Sequence, residues 1–231
     1  MDLGLYIASS GMVAEQTRES QLSNDLANAS TPGYKPEETQ QHSFGEVLLA
    51  NTQGEKPVGS VNNGVALGSA YTNMTPKPSQ ETGEPLDFAI EGTGFFAVKT
   101  AEGIRYTRNG QFSSSAEGLL TDTNGNPVLD QQGAPIKVGA DGKVAASAIG
   151  VFEVQSAVKQ GENLYSGTAN GKSSGLVREG ALEESGVSAA KVMVDMITSL
   201  RAFQSDQQAI QAIGQTLQEA AGQVGSINTS G

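Results

Sequence analysis

Met193, Met196, Leu200, Phe203, Gln207, Ile210, Gly214, Leu217, Ala221 and Val224 follow one another in steps that alternate between three and four residues. That spacing lays them along one stripe of an α-helix and is the a/d pattern of a heptad seam. Only Gln207 and Gly214 break its apolar run. Ser185 or Ser188 can cap the start, and Gly225 with the polar tail 226–231 marks the end. A stripe this long and regular predicts a helix whose partner is another helix rather than the flank of a globule. Its apolar candidate contacts are Met193, Met196, Leu200, Phe203, Ile210, Leu217 and Val224.

The first residues carry a thinner version. Between Leu3 and Asn28, Leu5, Ala8, Met12, Leu22 and Leu26 fall on one seam, with Glu15 and Glu19 interrupting it. So sparse a seam does not sustain an isolated helix in water. The two terminal helices are expected to pair with each other or with neighbouring copies.

Between them the texture changes. Glu102-Gly103, Asn109-Gly110, Glu117-Gly118, Asn124-Gly125, Gln132-Gly133 and Asp141-Gly142 recur as turn dipeptides. Short β-type runs separate them: 95–98, 104–107, 118–121, 127–129 and 151–154. Asn-Gly and Asp-Gly between such runs signal hairpins. Residues 35–84 are rich in Gly, Asn, Thr, Pro and Gln and read as an extended connector, with a helical turn or short strand at Phe44–Leu49 and strands at Val65–Leu67 and Ala70–Tyr71. The expected fold is α+β: a mostly-β central domain flanked by N- and C-terminal coiled-coil-like helices that pack together. Its parts are an N-terminal helix over 1–34, a connector over 35–84, an antiparallel β domain over 85–185, and a C-terminal helix over 186–231 that pairs with 1–34.

Composition removes several kinds of function. The net charge of −11 opposes a nucleic-acid partner, since phosphates require a basic surface, and opposes a polybasic membrane anchor. Cysteine is absent, which excludes disulfides, thiol nucleophiles and Cys-based zinc sites within this sequence. No stretch approaches the roughly 18 apolar residues of a membrane span. The start, Met1–Ala8, has no basic region and too short an apolar run for a signal-peptide core. The single histidine, His42, lies in a polar stretch and reads as solvent-exposed. Residues 167–173, Gly-Thr-Ala-Asn-Gly-Lys-Ser, fall one residue short of a phosphate-binding loop, and Ser174-Gly175 follow where a helix is needed. Residues 122–126 look faintly like a calcium loop, but Pro127 stands where glycine is required; a hairpin turn explains them better. No catalytic, cofactor or metal constellation emerges, so the expectation is a non-enzyme without cofactors.

Asn24-Asp25-Leu26-Ala27-Asn28-Ala29-Ser30-Thr31-Pro32-Gly33-Tyr34-Lys35 resembles the N-terminal signature of the bacterial flagellar rod and hook family, N-x-[LIM]-A-N-x-x-T-x-G-[FY]-[KR], at every fixed position. Residues 86–98 and Tyr106-Thr107-Arg108-Asn109-Gly110-Gln111-Phe112 resemble the family's central β domain. Gly161–Tyr165 resembles the stretch before its last strands. Leu182-Glu183-Glu184-Ser185-Gly186-Val187, Met196-Ile197 and Arg201-Ala202-Phe203 resemble its C-terminal helix. The chain departs from the family's usual Asn at Gly186, Glu at Lys191 and Asn at Asp206.

The resemblance implies a structural subunit of the flagellar basal-body rod, the distal rod protein or its close proximal relative. Phe44–Leu49 resembles the segment after the turn in distal rod proteins. The implied partners are copies of the chain itself, other rod and hook subunits, and the flagellar type III export apparatus, with no nucleic acid and no direct lipid insertion. The implied location is the flagellar basal body, reached by export without a cleaved signal. In such a tubular polymer the terminal helices form the inner tube and the β domain the outer layer, and free subunits have disordered ends. Asn24, Leu26, Ala27, Asn28, Thr31, Pro32, Gly33, Tyr34 and Lys35 are the expected assembly motif: residues 28–30 end the helix, Pro32 forbids its continuation, Gly33 reverses the chain, Tyr34 anchors the turn and Lys35 begins the connector. A hook-type axial subunit, a monomeric secreted binding module and an enzyme on a β scaffold stand as alternatives.

Overall fold

The computed structural model describes residues 2–43, 46–50, 57–62, 64–161 and 163–227. The chain divides into two compact units. The first is built from Met1–Leu26, Glu37–Tyr71 and Ala189–Gly231. It holds α1 (Asp2–Ala27, its last residue beyond the division), β1 (Glu37–Ser43), β2 (Glu46–Ala50), β3 (Pro57–Asn62), β4 (Val65–Thr72, entered from the same unit) and α2 (Ala189–Ile227). β1 pairs with β4, and β2 with β3 in antiparallel register from Glu46↔Asn62 to Ala50↔Pro57. The stretch expected to be an extended connector therefore carries paired strands. Phe44 and Gly45, on which part of the distal-rod resemblance rests, lie outside the described residues, as does Glu162.

α1 and α2 pack together, antiparallel. Gly4 lies opposite Ile213, Gly11 opposite Asp206, and Glu15 opposite Ser199. Ala8, Ala14, Val192 and Ser199 are buried. Small residues on α1 let the helices approach closely, which is why so thin an apolar seam still finds a partner.

The second unit comprises Ala27–Pro36 and Thr72–Ser188. Its strands are β5 (Ser79–Glu81), β6 (Phe88–Glu91), β7 (Phe95–Thr100), β8 (Gly103–Thr107), β9 (Ser113–Ser114), β10 (Leu120–Thr121), β11 (Val151–Lys159), β12 (Tyr165–Lys172), β13 (Leu176–Glu179) and β14 (Ala181–Glu183). β11, β12, β8 and β7 close a small barrel. β13 pairs with β6 and β14 with β5, so the last strands of the unit return to its first ones.

The turn dipeptides do more than join hairpins. The amides of Gly118, Gly125, Gly133 and Gly142 each donate to the carbonyl three residues back. Between these turns, Leu120 N–H donates to Ile136, Ile136 to Val128, and Val128 to Leu120, at 2.9, 3.0 and 2.9 Å. The chain thus winds three segments around one closed ring of backbone hydrogen bonds. Their side chains join Phe88, Phe96, Phe112 and Val144 in the main core. The calcium-like loop is one of these turns: Asp122 accepts the amides of Asn124 and Asn126 on one carboxylate oxygen. Asn109-Gly110 works differently from the hairpin expected there: a Cβ on Gly110 would overlap the Phe88 carbonyl, so glycine serves close backbone approach. The phosphate-loop-like residues 167–172 lie in β12, paired with β11.

Candidate functional site

The assembly motif straddles the end of α1. Asn24 is exposed and Leu26 half-buried; both lie within the helix, which ends at Ala27. Thr31 N–H donates to the Asn28 carbonyl at 3.1 Å and its hydroxyl to Asn28 Oδ1 at 3.2 Å. Pro32 has no amide to continue the ladder. Gly33 takes φ +65°, where a Cβ would overlap the Arg108 carbonyl. Tyr34 and Lys35 are then fully buried, at 2% and 0% exposure.

Lys35 therefore does not simply begin a connector. Its ammonium donates to Glu183 at 2.6 Å and to the Thr75 carbonyl at 2.8 Å. Glu183, 1% exposed, also accepts the Lys77 amide at 2.8 Å and Arg108 Nη1 at 3.2 Å. Arg108 is 3% exposed and donates further to the Ile90 and Gly92 carbonyls, at 3.4 and 2.8 Å, with its guanidinium carbon 5.3 Å from the centre of the Phe95 ring. Burial pushes the Lys35 ammonium below the ordinary lysine range; Glu183 pulls it back and Arg108 opposes it. Burial lowers Arg108 in the same way, again opposed by Glu183.

Backbone bonds fasten the same two segments. Gly33 N–H donates to Glu183 O at 2.9 Å, Gly186 N–H to Tyr34 O at 2.8 Å, and the Ser185 hydroxyl to Asn28 O at 2.9 Å. Lys159 donates to the Tyr34 hydroxyl at 3.0 Å, and Asn163 to Pro32 O at 3.2 Å. Sequence reasoning missed Arg108, Glu183, Lys159 and Asn163 as partners of the turn. The available signal was that Lys35, Arg108 and Glu183 each sit in one of the family-like stretches.

In the helical unit, the expected seam residues differ in exposure. Met196, Phe203, Ile210 and Leu217 are half-buried. Met193 and Leu200 are 49% and 43% exposed, and Val224 lies in the last turns of α2. Ser199, Asp206 and Ile213, one position before the expected a-type sites, lie against Glu15, Gly11 and Gly4 of α1, and Val192 is buried. On α1, Gly4 and Gly11 face Ile213 and Asp206, Ala8 of the expected seam is buried, Met12 is half-buried and Leu5 is exposed. His42 is exposed, as expected.

Helices from both ends of the chain pair in one unit, and the first and last segments of the β unit are clasped together. Three family models match in order: the flagella basal body rod protein model over residues 5–35, the flagellar hook protein FlgE/F/G D1 domain over 89–150, and the flagellar basal body rod FlgEFG protein C-terminal model over 178–223. Lys35, Arg108 and Glu183 fall one in each. The chain is 31% identical to flagellar basal-body rod protein FlgF of Caulobacter vibrioides, over 99% of this chain and 100% of the relative. It is 30% identical to flagellar hook-basal body complex protein FlhO of Bacillus subtilis, over 97% and 99%, and 30% identical to that organism's flagellar basal-body rod protein FlgG, over 93% and 96%. The chain belongs to the flagellar basal-body rod and hook axial family. It is a structural rod subunit, and the hook-type alternative is not favoured.

Proposed function

We propose that the chain polymerises with copies of itself and with other rod and hook subunits into the tubular shaft that carries torque to the hook. It reaches that place through the flagellar type III export apparatus, without a cleaved signal peptide. It catalyses no reaction and takes no cofactor, nucleic acid or lipid. Residues 24–35 set the turn after α1, and Met193, Met196, Leu200, Phe203, Ile210, Leu217 and Val224 supply helix contacts, those left outside the α1 contact meeting neighbouring copies.

The observation that carries this reading is apolar surface that the chain's own helix pair leaves uncovered. On α2, Met193, Val194, Ile197 and Leu200 are 43–62% exposed; on α1, Leu3, Leu5, Tyr6 and Val13 are 41–59% exposed. Apolar side chains at this density mark a surface that another protein covers. Deleting the gene in its host and imaging purified basal bodies by electron microscopy tests it. Missing or shortened rods without hooks are expected, with loss of swimming. Intact basal bodies and normal swimming would return the chain to the monomeric binding-module alternative.

A further inference from the structure

We propose that Glu183 is a positioning residue that makes burial of the N-terminal turn conditional on the C-terminal strand of the same unit. Its carboxylate is the hub of three segments far apart in sequence, receiving Lys35 from the turn, the Lys77 amide from the approach to β5, and Arg108 from the exit of β8. The cluster holds two buried cations and one buried carboxylate.

The two cations do not depend on it equally. Arg108 keeps two backbone carbonyls and the Phe95 ring face if Glu183 is lost. Lys35 keeps only the Thr75 carbonyl among its described partners. A buried ammonium without its counterion is expensive, and the cheapest relief is for residues 31–36 to open and let Lys35 reach water. Opening breaks the Gly33-to-Glu183 and Gly186-to-Tyr34 backbone bonds together. The main core around Leu120, Val128 and Ile136 does not include the cluster and stays closed.

The turn that follows α1 and the segment that leads into α2 therefore lock as one event. Until residue 183 is in place, residue 35 has no reason to be buried. Resting on the export reading above, this keeps a chain delivered end first unsealed until its C-terminal part arrives. The coupling itself does not need that reading.

Amide hydrogen exchange on the full chain tests the coupling alone, so its failure would leave the export reading standing. In Glu183→Gln, Gly33 and Gly186 are expected to exchange at least tenfold faster, while Leu120, Val128 and Ile136 stay protected. Adding Lys35→Met removes the stranded cation and is expected to restore protection at both glycines. Unchanged Gly33 and Gly186 in the single variant, or lost protection that Lys35→Met does not restore, overturns the proposal. If Glu183→Gln fails to fold at all, the double variant decides: folded with both amides protected supports the coupling, and unfolded overturns it.

Discussion

Gly33 is the residue at which the least change has the most consequence. Its backbone sits at φ +65°, a conformation that costs a side-chain-bearing residue about 1–2 kcal/mol. The obstacle to a Cβ is the Arg108 main chain, which cannot swing aside as a flexible side chain can. Gly33→Val is therefore expected to expel residues 31–36 from the β unit and expose Tyr34 and Lys35, with the barrel and the hydrogen-bonded ring still folded. Near-ultraviolet circular dichroism would show the freed tyrosine, and the strain allows for a loss of about 2 kcal/mol or more in urea unfolding. Swimming should be lost in the same variant. Unaltered unfolding with normal motility would refute this account of the turn. Gly186 shows the complementary case: a Cβ there would lie 2.6 Å from Pro36 Cδ and 3.0 Å from the Tyr34 carbonyl. Glycine at 186, where the family resemblance leads one to expect Asn, fits a turn that packs this closely on it.

At the scale of the helix pair, another departure from the family pattern becomes legible. Asp206 packs on Gly11, and its carboxyl is held above the ordinary aspartate range by burial first and by the charge of Glu15 second. Glu15 in turn accepts the Ser199 hydroxyl at 2.6 Å. A raised carboxyl pKa means that the packed helices hold the proton more tightly than the unfolded chain does. Helix pairing is then strongest at acid pH and weakens as pH rises through the interval just above the ordinary aspartate value. Asp206→Asn should remove that slope and raise the stability of the helical unit at pH 7, read as helix melting by circular dichroism between pH 4 and 7. A variant with the same pH dependence as the parent would exclude Asp206 as its source. This element also shows how far the sequence could be read. Both helices, their mutual packing and the α+β class follow from periodicity and turn chemistry. The closest approaches do not, because ranking residues by hydrophobicity passes over Gly4, Gly11, Ser199 and Asp206, which meet across the pair. The ion cluster was hidden for a related reason: a charged residue in a motif reads as surface until its counterion, here 148 residues away, is known.

For the molecule as a whole, two properties oppose each other. The helices present exposed apolar side chains that favour association, while a net charge of −11 makes copies of the chain repel one another. Added salt screens the repulsion over about 10 Å at 0.1 M and leaves apolar attraction intact, so self-association of the purified chain should rise with ionic strength. Met193 and Leu200 separate this from nonspecific aggregation. Both are close to half exposed, so replacing them with glutamate places charge on the uncovered stripe while Ser199, Asp206 and Ile213 keep their places against α1. Met193→Glu/Leu200→Glu is expected to keep the parent's circular dichroism, to remain monomeric in sedimentation velocity at salt concentrations where the parent associates, and to fail to restore swimming to a deletion strain. A variant that melts like an unpaired helix would mean that these residues support α1 after all. One that associates and swims normally would mean that neighbouring copies are held through another surface, and the apolar stripe would lose its place in the assembly.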